Sequence, residues 1–301
     1  MEGADAPGGP SLRRAAPAKI NLYLRVVGRR ADGYHLLDSL VAFAGVADGI
    51  AVTRADDLSL TVTGAHADSL GATAPDDNLV LRAARLLRAE GGVRAGAAIR
   101  LDKALPVAAG LGGGSADAAA TLRALAALWR LAPAPDDLAR MALALGADVP
   151  VCLGARAGFV GGIGEEIEPA PPLPPAELVL VNPGAPLATA EVYGALDDTR
   201  SHPARFAGAP ADAAALAAVL AERANDLEAP ARRLRPEIGE ALAALAAEAG
   251  CLLARMSGSG ATCFGLFAAA AEARAAARRL ARGRPGWWIA AAPLITDFTS
   301  G

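Results

Sequence analysis

The sequence predicts an α+β protein built from two units, and three observations point there. Strand-like and helix-like segments alternate without the regular βαβ repeat of a parallel-sheet protein. A proline-rich stretch, Pro169-Ala-Pro-Pro-Leu-Pro-Pro175, breaks the chain as a stiff polyproline-type linker. A glycine run at 110–114 opens a helix-like segment. The expected organisation is a disordered tail over 1–12, an N-terminal domain over 13–168 and a C-terminal domain over 169–301.

The elements follow in order. Lys19 to Val27 alternates and is rich in branched and aromatic residues, so it reads as a strand. Gly28 to His35 has turn chemistry, with Asp32-Gly33 at its centre. Leu36 to Phe43, Gly49 to Thr53 and Leu58 to Thr63 read as three further strands. Asn78 to Glu90 has Leu79, Ala83, Leu86 and Leu87 on one helical face. Ala97 to Leu101 reads as a strand, and helices follow over Ala116–Arg130 and Asp136–Leu145. Ala147 to Pro150 reads as a loop, because a proline disfavours helix just before it. Gly154 to Glu168 reads as a hairpin. Beyond the linker, strands are expected at 178–181, 263–267 and 287–292, and helices at 189–196, 237–249 and 270–282, with 252–256 leading into the loop at 257–261. Residues 201–221 are mostly Ala with Pro and Gly, and carry no readable pattern.

Composition narrows the functional classes. A chain of 301 residues, 53% apolar and 20% charged, is globular and long enough for a sizeable core. Its net charge of −3, without a basic run, argues against nucleic acid and membrane surfaces as partners. Cys152, Cys251 and Cys263 form no CxxC and no Cys/His cluster, so neither zinc nor a disulfide framework is expected. No apolar signal region opens the chain and no 18-residue apolar window occurs, so the expected location is the cytoplasm. Alanine supplies 78 residues, and only Lys19 and Lys103 among 29 basic residues are lysines. That bias marks the two lysines, since an arginine does not replace a compact ammonium.

The strongest local signal is Pro106-x-x-x-Gly110-Leu111-Gly112-Gly113-Gly114-Ser115. Adjacent glycines let a backbone approach a ligand closely, and a helix N-terminus offers free N–H groups to an anion. The pattern lacks the lysine of a Walker A loop and the third glycine of a dinucleotide fingerprint. Ser257-Gly258-Ser259-Gly260-Ala261 is a second glycine loop, with a tight turn into a strand as its equal alternative. Two such loops without Walker A suggest a phosphotransferase outside the P-loop class.

These segments carry a family resemblance. Residues 106–120 (PVAAGLGGGSADAAA) resemble the second motif of the GHMP kinases. Residues 257–267 (SGSGATCFGLF) resemble their third motif, and 17–40 (PAKINLYLRVVGRRADGYHLLDSL) their first. Pro-Ala-Lys-Ile-Asn-Leu followed by Arg-Ala-Asp-Gly-Tyr-His is similar to the branch acting in the methylerythritol phosphate route to isoprenoids. Asp77-Asn78-Leu79 and Leu145-Gly-Ala-Asp-Val-Pro150 fit the same branch. The resemblance implies an N-terminal ribosomal-S5-domain-2-like domain with a left-handed βαβ crossover, and a ferredoxin-like C-terminal domain. It also implies transfer of the ATP γ-phosphate to the 2-hydroxyl of 4-diphosphocytidyl-2-C-methyl-D-erythritol.

Roles follow from the resemblance. It places catalysis on Lys19 and Asp148. A carboxylate can orient and deprotonate an alcohol, and an ammonium can steady the developing charge. Cytosine is expected between Tyr34 and Tyr193, with His35 reading its polar edge. Asn21 and Thr189 are expected to touch the acceptor. ATP is expected on Pro106, Gly110, Leu111, Gly112, Gly113, Gly114, Ser115 and Ala116, with Asn78 and Lys103 nearby. Mg²⁺ is expected as the counter-ion of ATP, and no residue is assigned to it as a ligand. Two alternatives stay open at this point: another small-alcohol kinase of the superfamily, and a nucleotide-binding sensor without transfer.

Overall fold

The computed structural model describes residues 11–70, 77–197 and 200–298. Residues 1–10 of the expected tail lie outside them, while Leu12 already opens the first strand. That strand, β1 (Leu12–Arg29), pairs antiparallel with β2 (His35–Ala55) along its whole length. The Asp-Gly turn closes the pair: Gly33 takes φ +93° and its N–H donates to the Arg30 carbonyl at 3.0 Å.

The sequence predicts two strands where β2 is one. Gly45 and Asp48 break the apolar pattern, yet each answers a packing demand. A Cβ at Gly45 would lie 2.8 Å from the Pro293 ring, so glycine lets another strand cross there. Asp48 is 1% exposed and accepts the backbone N–H groups of Ala104 and Leu105 at 2.7 and 2.8 Å.

β3 (Leu58–Thr63) and β4 (Gly96–Asp102) are parallel neighbours, joined by the crossover helix α1 (Leu79–Glu90). Asn78 caps α1 by accepting the Val80 N–H at 2.9 Å. α2 (Gly113–Trp129) starts three residues before the expected Ala116, because the left-handed turn is made at Gly112 and the next two glycines are already helical. α3 (Pro135–Leu145) follows as expected. The loop expected at 147–150 is a correction: Val149–Gly154 form a short helix, α4, with Asp148 just before it. Pro150 stands in its first turn, where a missing N–H costs nothing. β5 (Gly158–Gly161) and β6 (Glu166–Pro169) make the expected hairpin, and β5 pairs with β2.

The second half contributes β7 (Glu177–Asn182), α5 (Thr189–Gly194), α6 (Ala213–Ala221), α7 (Glu228–Leu234), α8 (Glu237–Ala246), β8 (Leu253–Met256), β9 (Cys263–Phe267), α9 (Ala270–Gly283) and β10 (Trp288–Ile295). α6 and α7 have no counterpart in the sequence reading. Alanine-rich sequence gives no contrast between faces, and Pro230 reads as a breaker although it sits in the first turn of α7. Asp212 caps α6 through the Ala215 N–H at 2.8 Å.

The sheet runs β3-β4-β2-β10-β7-β9-β8, with β1 and β5 also on β2. β10 joins the halves: residues 288–293 pair with β7, then Leu294 and Ile295 meet Ala44 and Phe43 on β2. One core lies between α1–α4 and the first strands, a second under α7–α9, and a third between them around Ile20, Leu22, Leu216 and Phe264. Burying each Leu or Phe contributes about 1.5–3 kcal/mol. Small Ala118, Ala119 and Ala124 let α2 lie close on the sheet, which presents its N-terminus beside Lys19. Among the described residues no helix is long and apolar enough to cross a membrane.

Candidate active site

The glycine loop is built backbone against backbone. Gly110 has φ +74°, and a Cβ there would lie 2.4 Å from the Ser257 carbonyl oxygen. Gly112 has φ +59°, and a Cβ there would lie 3.0 Å from Lys19 Cε. Only glycine satisfies both the space and the left-handed backbone. Three contacts lock the loop. The Lys19 N–H donates to the Leu111 carbonyl at 2.8 Å, the Thr262 N–H to Ala109 at 3.1 Å, and Ser257 Oγ to Gly110 at 2.9 Å. What remains open is the start of α2, whose first N–H groups have no acceptor within the helix. Leu111 and Ala116 turn their side chains into the core, so only their backbone can face a nucleotide.

The second loop behaves differently. Ser257 is fully buried and Ser259 is 7% exposed. Ser257 accepts the Asn21 N–H at 3.1 Å, and Ser259 Oγ meets Thr189 Oγ1 at 2.9 Å. Gly258 (φ +56°) and Gly260 (φ +86°) make the turns. The loop therefore braces the first glycine loop from behind, and its hydroxyls are spent on that. Thr189, expected on the acceptor, ties α5 to this brace.

Lys19 lies in β1 with its side chain 6% exposed. Its ammonium reaches Asp148 Oδ2 at 3.0 Å and donates to Asn21 Oδ1 at 3.0 Å. Asn21, expected to touch the acceptor, is buried, with both its Oδ1 and its Nδ2 bonded. Its Nδ2 donates to Ser39 Oγ at 2.9 Å, and Ser39 Oγ donates to the Tyr23 carbonyl. A buried ammonium needs such partners, since desolvating it alone is costly. Asp148 is the outward member of the pair.

The residues expected around the cytosine are arranged unevenly. His35 itself stacks on Tyr193, with ring centroids 4.9 Å apart and planes 24° apart. Tyr34 projects outward at 60% exposure. Tyr34 follows the turn and His35 is the first residue of β2, and it is His35 that reaches Tyr193. Burial, with the Arg29 charge, lowers the His35 pKa below its ordinary value. Burial, with the Asp148 charge, raises that of the Tyr193 phenol.

A cavity of about 190 Å³ opens beneath the glycine loop. Asn78, Lys103, Pro106, Gly113, Gly114 and Asp117 are among its walls. Lys103 is 2% exposed and sits between Asp48 and Asp117, bonding Asp117 Oδ2 at 2.8 Å. It is a buried tie on the cavity wall, near where the sequence places ATP. Burial pulls its pKa down, but Asp117 and Asp48 overcome that and hold it above the usual lysine value. A larger hollow of about 410 Å³, over α7 and α8, holds none of the motif residues. Among the described residues no group of three or more His, Cys, Asp or Glu side chains is arranged to hold a metal ion.

Known proteins share this arrangement. Residues 78–155 match the GHMP kinases N terminal domain, and residues 207–284 the GHMP kinases C terminal model. A 4-diphosphocytidyl-2-C-methyl-D-erythritol kinase from Paramagnetospirillum magneticum is 57% identical over 282 residues, covering 93% of this chain and 98% of the relative. The one from Rhodospirillum rubrum is 51% identical, covering 97% and 95%. The chain belongs to the 4-diphosphocytidyl-2-C-methyl-D-erythritol kinase family of GHMP kinases. A crystal structure of a 4-(cytidine 5'-diphospho)-2C-methyl-D-erythritol kinase matches with TM-score 0.75 and 38% identity, covering 94% of this chain and 99% of that one. Homoserine kinase from Cytophaga hutchinsonii matches with TM-score 0.72 at 17% identity, which shows the shared fold.

Several residues of this GHMP kinase escape sequence reasoning. Asn225 donates to the Met256 and Gly258 carbonyls, both at 2.8 Å, and so clamps the bracing loop. It follows an alanine-rich stretch that offers no signal. Ser39 is equally silent in a strand. Asp48 and Asp117 did carry a signal: each is a lone carboxylate in an apolar run, and both are buried on Lys103.

Proposed function

We propose that this GHMP kinase transfers the γ-phosphate of ATP to the 2-hydroxyl of 4-diphosphocytidyl-2-C-methyl-D-erythritol. The observation that carries the reading is the Lys19–Asp148 pair beside an open helix N-terminus. Phosphoryl transfer needs positioning and charge stabilisation more than covalent help. The triphosphate lies over Gly112–Ser115, where the N–H groups and helix dipole receive it. Mg²⁺ arrives with ATP as part of the co-substrate, held by the phosphates. Asp148 accepts the acceptor hydroxyl's hydrogen bond and takes its proton as transfer proceeds. Lys19 has two fixed partners, which leaves its third N–H for the transferring group.

The cytosine end belongs at the His35–Tyr193 stack, where the imidazole and the outlying Tyr34 ring offer flat faces and a polar edge. The reading is supported by the family membership and by the Lys19–Asp148 pair beside the helix N-terminus. The test is ADP release by the purified protein against a panel of acceptors. Turnover of 4-diphosphocytidyl-2-C-methyl-D-erythritol, with homoserine and mevalonate inert, is the expected result. Brisk turnover of homoserine or mevalonate instead would overturn it, as would binding of ATP without transfer to any of them.

A further inference from the structure

Asp117 carries an unmet acceptor. It is 2% exposed, on the α2 face that borders the 190 Å³ cavity. Its Oδ2 is taken by Lys103, but its Oδ1 is buried without a hydrogen-bond partner. Leaving a buried carboxylate oxygen unpaired is costly and calls for a reason, and a ligand that supplies the partner is one. Burial raises its pKa most; Lys103 opposes and Asp48 adds to the rise, leaving it at about 7.

The cavity says which part of a ligand could pair it. Gly113 and Gly114 form its upper wall, where phosphates meet the helix N-terminus. Asn78, Leu79, Val80 and Val107 form its other sides, so they border what lies beyond the phosphates. Phosphate oxygens at neutral pH only accept, and they would repel a carboxylate. The ionised carboxylate therefore needs a donor, and a purine nucleoside offers three: the 2'-hydroxyl, the 3'-hydroxyl and the 6-amino group.

We propose that Asp117 reads the nucleoside of the co-substrate, its Oδ1 accepting a hydrogen bond from a sugar hydroxyl or the purine 6-amino group. The proposal rests on ATP being the ligand of this cavity. It makes Asp117 a specificity residue for the nucleotide, with Lys103 and Asp48 holding it in place.

The test is a calorimetric binding series on the full chain with ATP, 2'-deoxy-ATP, 3'-deoxy-ATP and ITP, repeated on Asp117→Asn. In the wild type, one of the three analogues should bind about 5- to 150-fold more weakly than ATP, the loss expected for one unpaired buried acceptor. Which analogue it is identifies the donor. In Asp117→Asn the amide oxygen stays on Lys103, and an NH₂ replaces the unpaired acceptor. ATP should then weaken and its advantage over that analogue should vanish. If that variant does not fold, Asp117→Ala is read in the same way. Equal affinities within twofold for all four nucleotides would overturn the proposal, as would an analogue penalty that persists in Asp117→Asn. Failure of the wild type to bind ATP at all would overturn the kinase reading as well, which separates the two.

Discussion

Lys19 Nζ stands 3.0 Å from Asp148 Oδ2, and the pair spans the edge of the core: the lysine side chain is 6% exposed and the aspartate 43%. One member is therefore fixed by burial while the other faces the incoming acceptor. The asymmetry separates what each substitution should do.

Asp148→Asn removes the base and keeps the shape. We expect kcat to fall by roughly 10²- to 10⁴-fold, the usual worth of a positioned acid/base group. The amide keeps an oxygen for the Lys19 ammonium but removes its counter-charge, so a loss of stability should accompany the fall in kcat. Near-wild-type turnover in a steady-state assay would remove Asp148 from the mechanism.

Lys19→Arg tests a different property. The lysine stem runs under Gly112, with Cε only 3.0 Å from where a Cβ there would be. A planar guanidinium does not fit that channel or keep both the Asn21 and Asp148 bonds. Turnover should drop at least about 10²-fold, the scale of one lost electrostatic contact to the transition state. A fully active Lys19→Arg enzyme would sink both the mechanism and the significance given to the two surviving lysines.

Legibility in the sequence followed physics of two kinds. The strands, α1, α3 and the glycine loop were readable because their patterns are local: alternation, amphipathic spacing, a positive-φ residue. The motif residues Lys19, Asp148 and Gly110–Ser115 were found, and they do converge. What was missed depends on contacts between distant residues. The bonds of Asn21 to Ser39 and Lys19, 18 and 2 residues away, were not readable. Tyr34 and His35 are neighbours in sequence, and only the turn at 30–34 decides which meets Tyr193. α6 and α7 hid in alanine, where a helix shows no faces. The Asp48–Lys103–Asp117 cluster joins β2, the segment after β4, and α2, and no spacing rule connects those.

Proton uptake by His35 should be visible in the acceptor kinetics. Its pKa lies below the ordinary value near 6.5. At neutral pH the imidazole is uncharged, and it protonates only as pH falls through that lowered value. The KM for the acceptor should rise there, with kcat at saturating acceptor less affected. His35→Gln should have a higher KM at every pH and lose that acidic rise. An unchanged acid limb in His35→Gln would place the titration on another group.

Two glycines four residues apart should respond in opposite ways to alanine. At Gly110 a Cβ would overlap the Ser257 carbonyl at 2.4 Å, with φ at +74°. Gly110→Ala should cost more than about 2 kcal/mol and separate the two loops. At Gly114, inside the first turn of α2, a Cβ would meet only Leu79 Cδ1 at 3.4 Å. Gly114→Ala should leave stability within about 1 kcal/mol, or raise it, since alanine favours helix. Urea denaturation of both variants checks the contrast. Equal losses would mean that the Gly110 contact is relieved by movement of the brace.

Lys103 offers the strongest stability test, because its two carboxylates are almost dry. Lys103→Met leaves Asp48 and Asp117 buried without their cation, and breaking such a set from one side costs about 3–5 kcal/mol. Asp48 retains two backbone donors, so Asp117 should bear most of the change. The pH dependence gives an independent sign. In the folded wild type the Asp117 pKa is raised to about 7, against about 3.9 for an unfolded aspartate. Between those values the folded state binds the extra proton. The stability linked to that proton is fully present below about pH 4 and is lost as pH rises to about 7. Asp117→Asn cannot titrate, so the wild-type advantage over it should shrink across that window. Urea midpoints at pH 4.5, 6 and 7.5 measure it. An advantage that grew with pH instead would mean that Lys103 outweighs burial and keeps Asp117 ionised throughout.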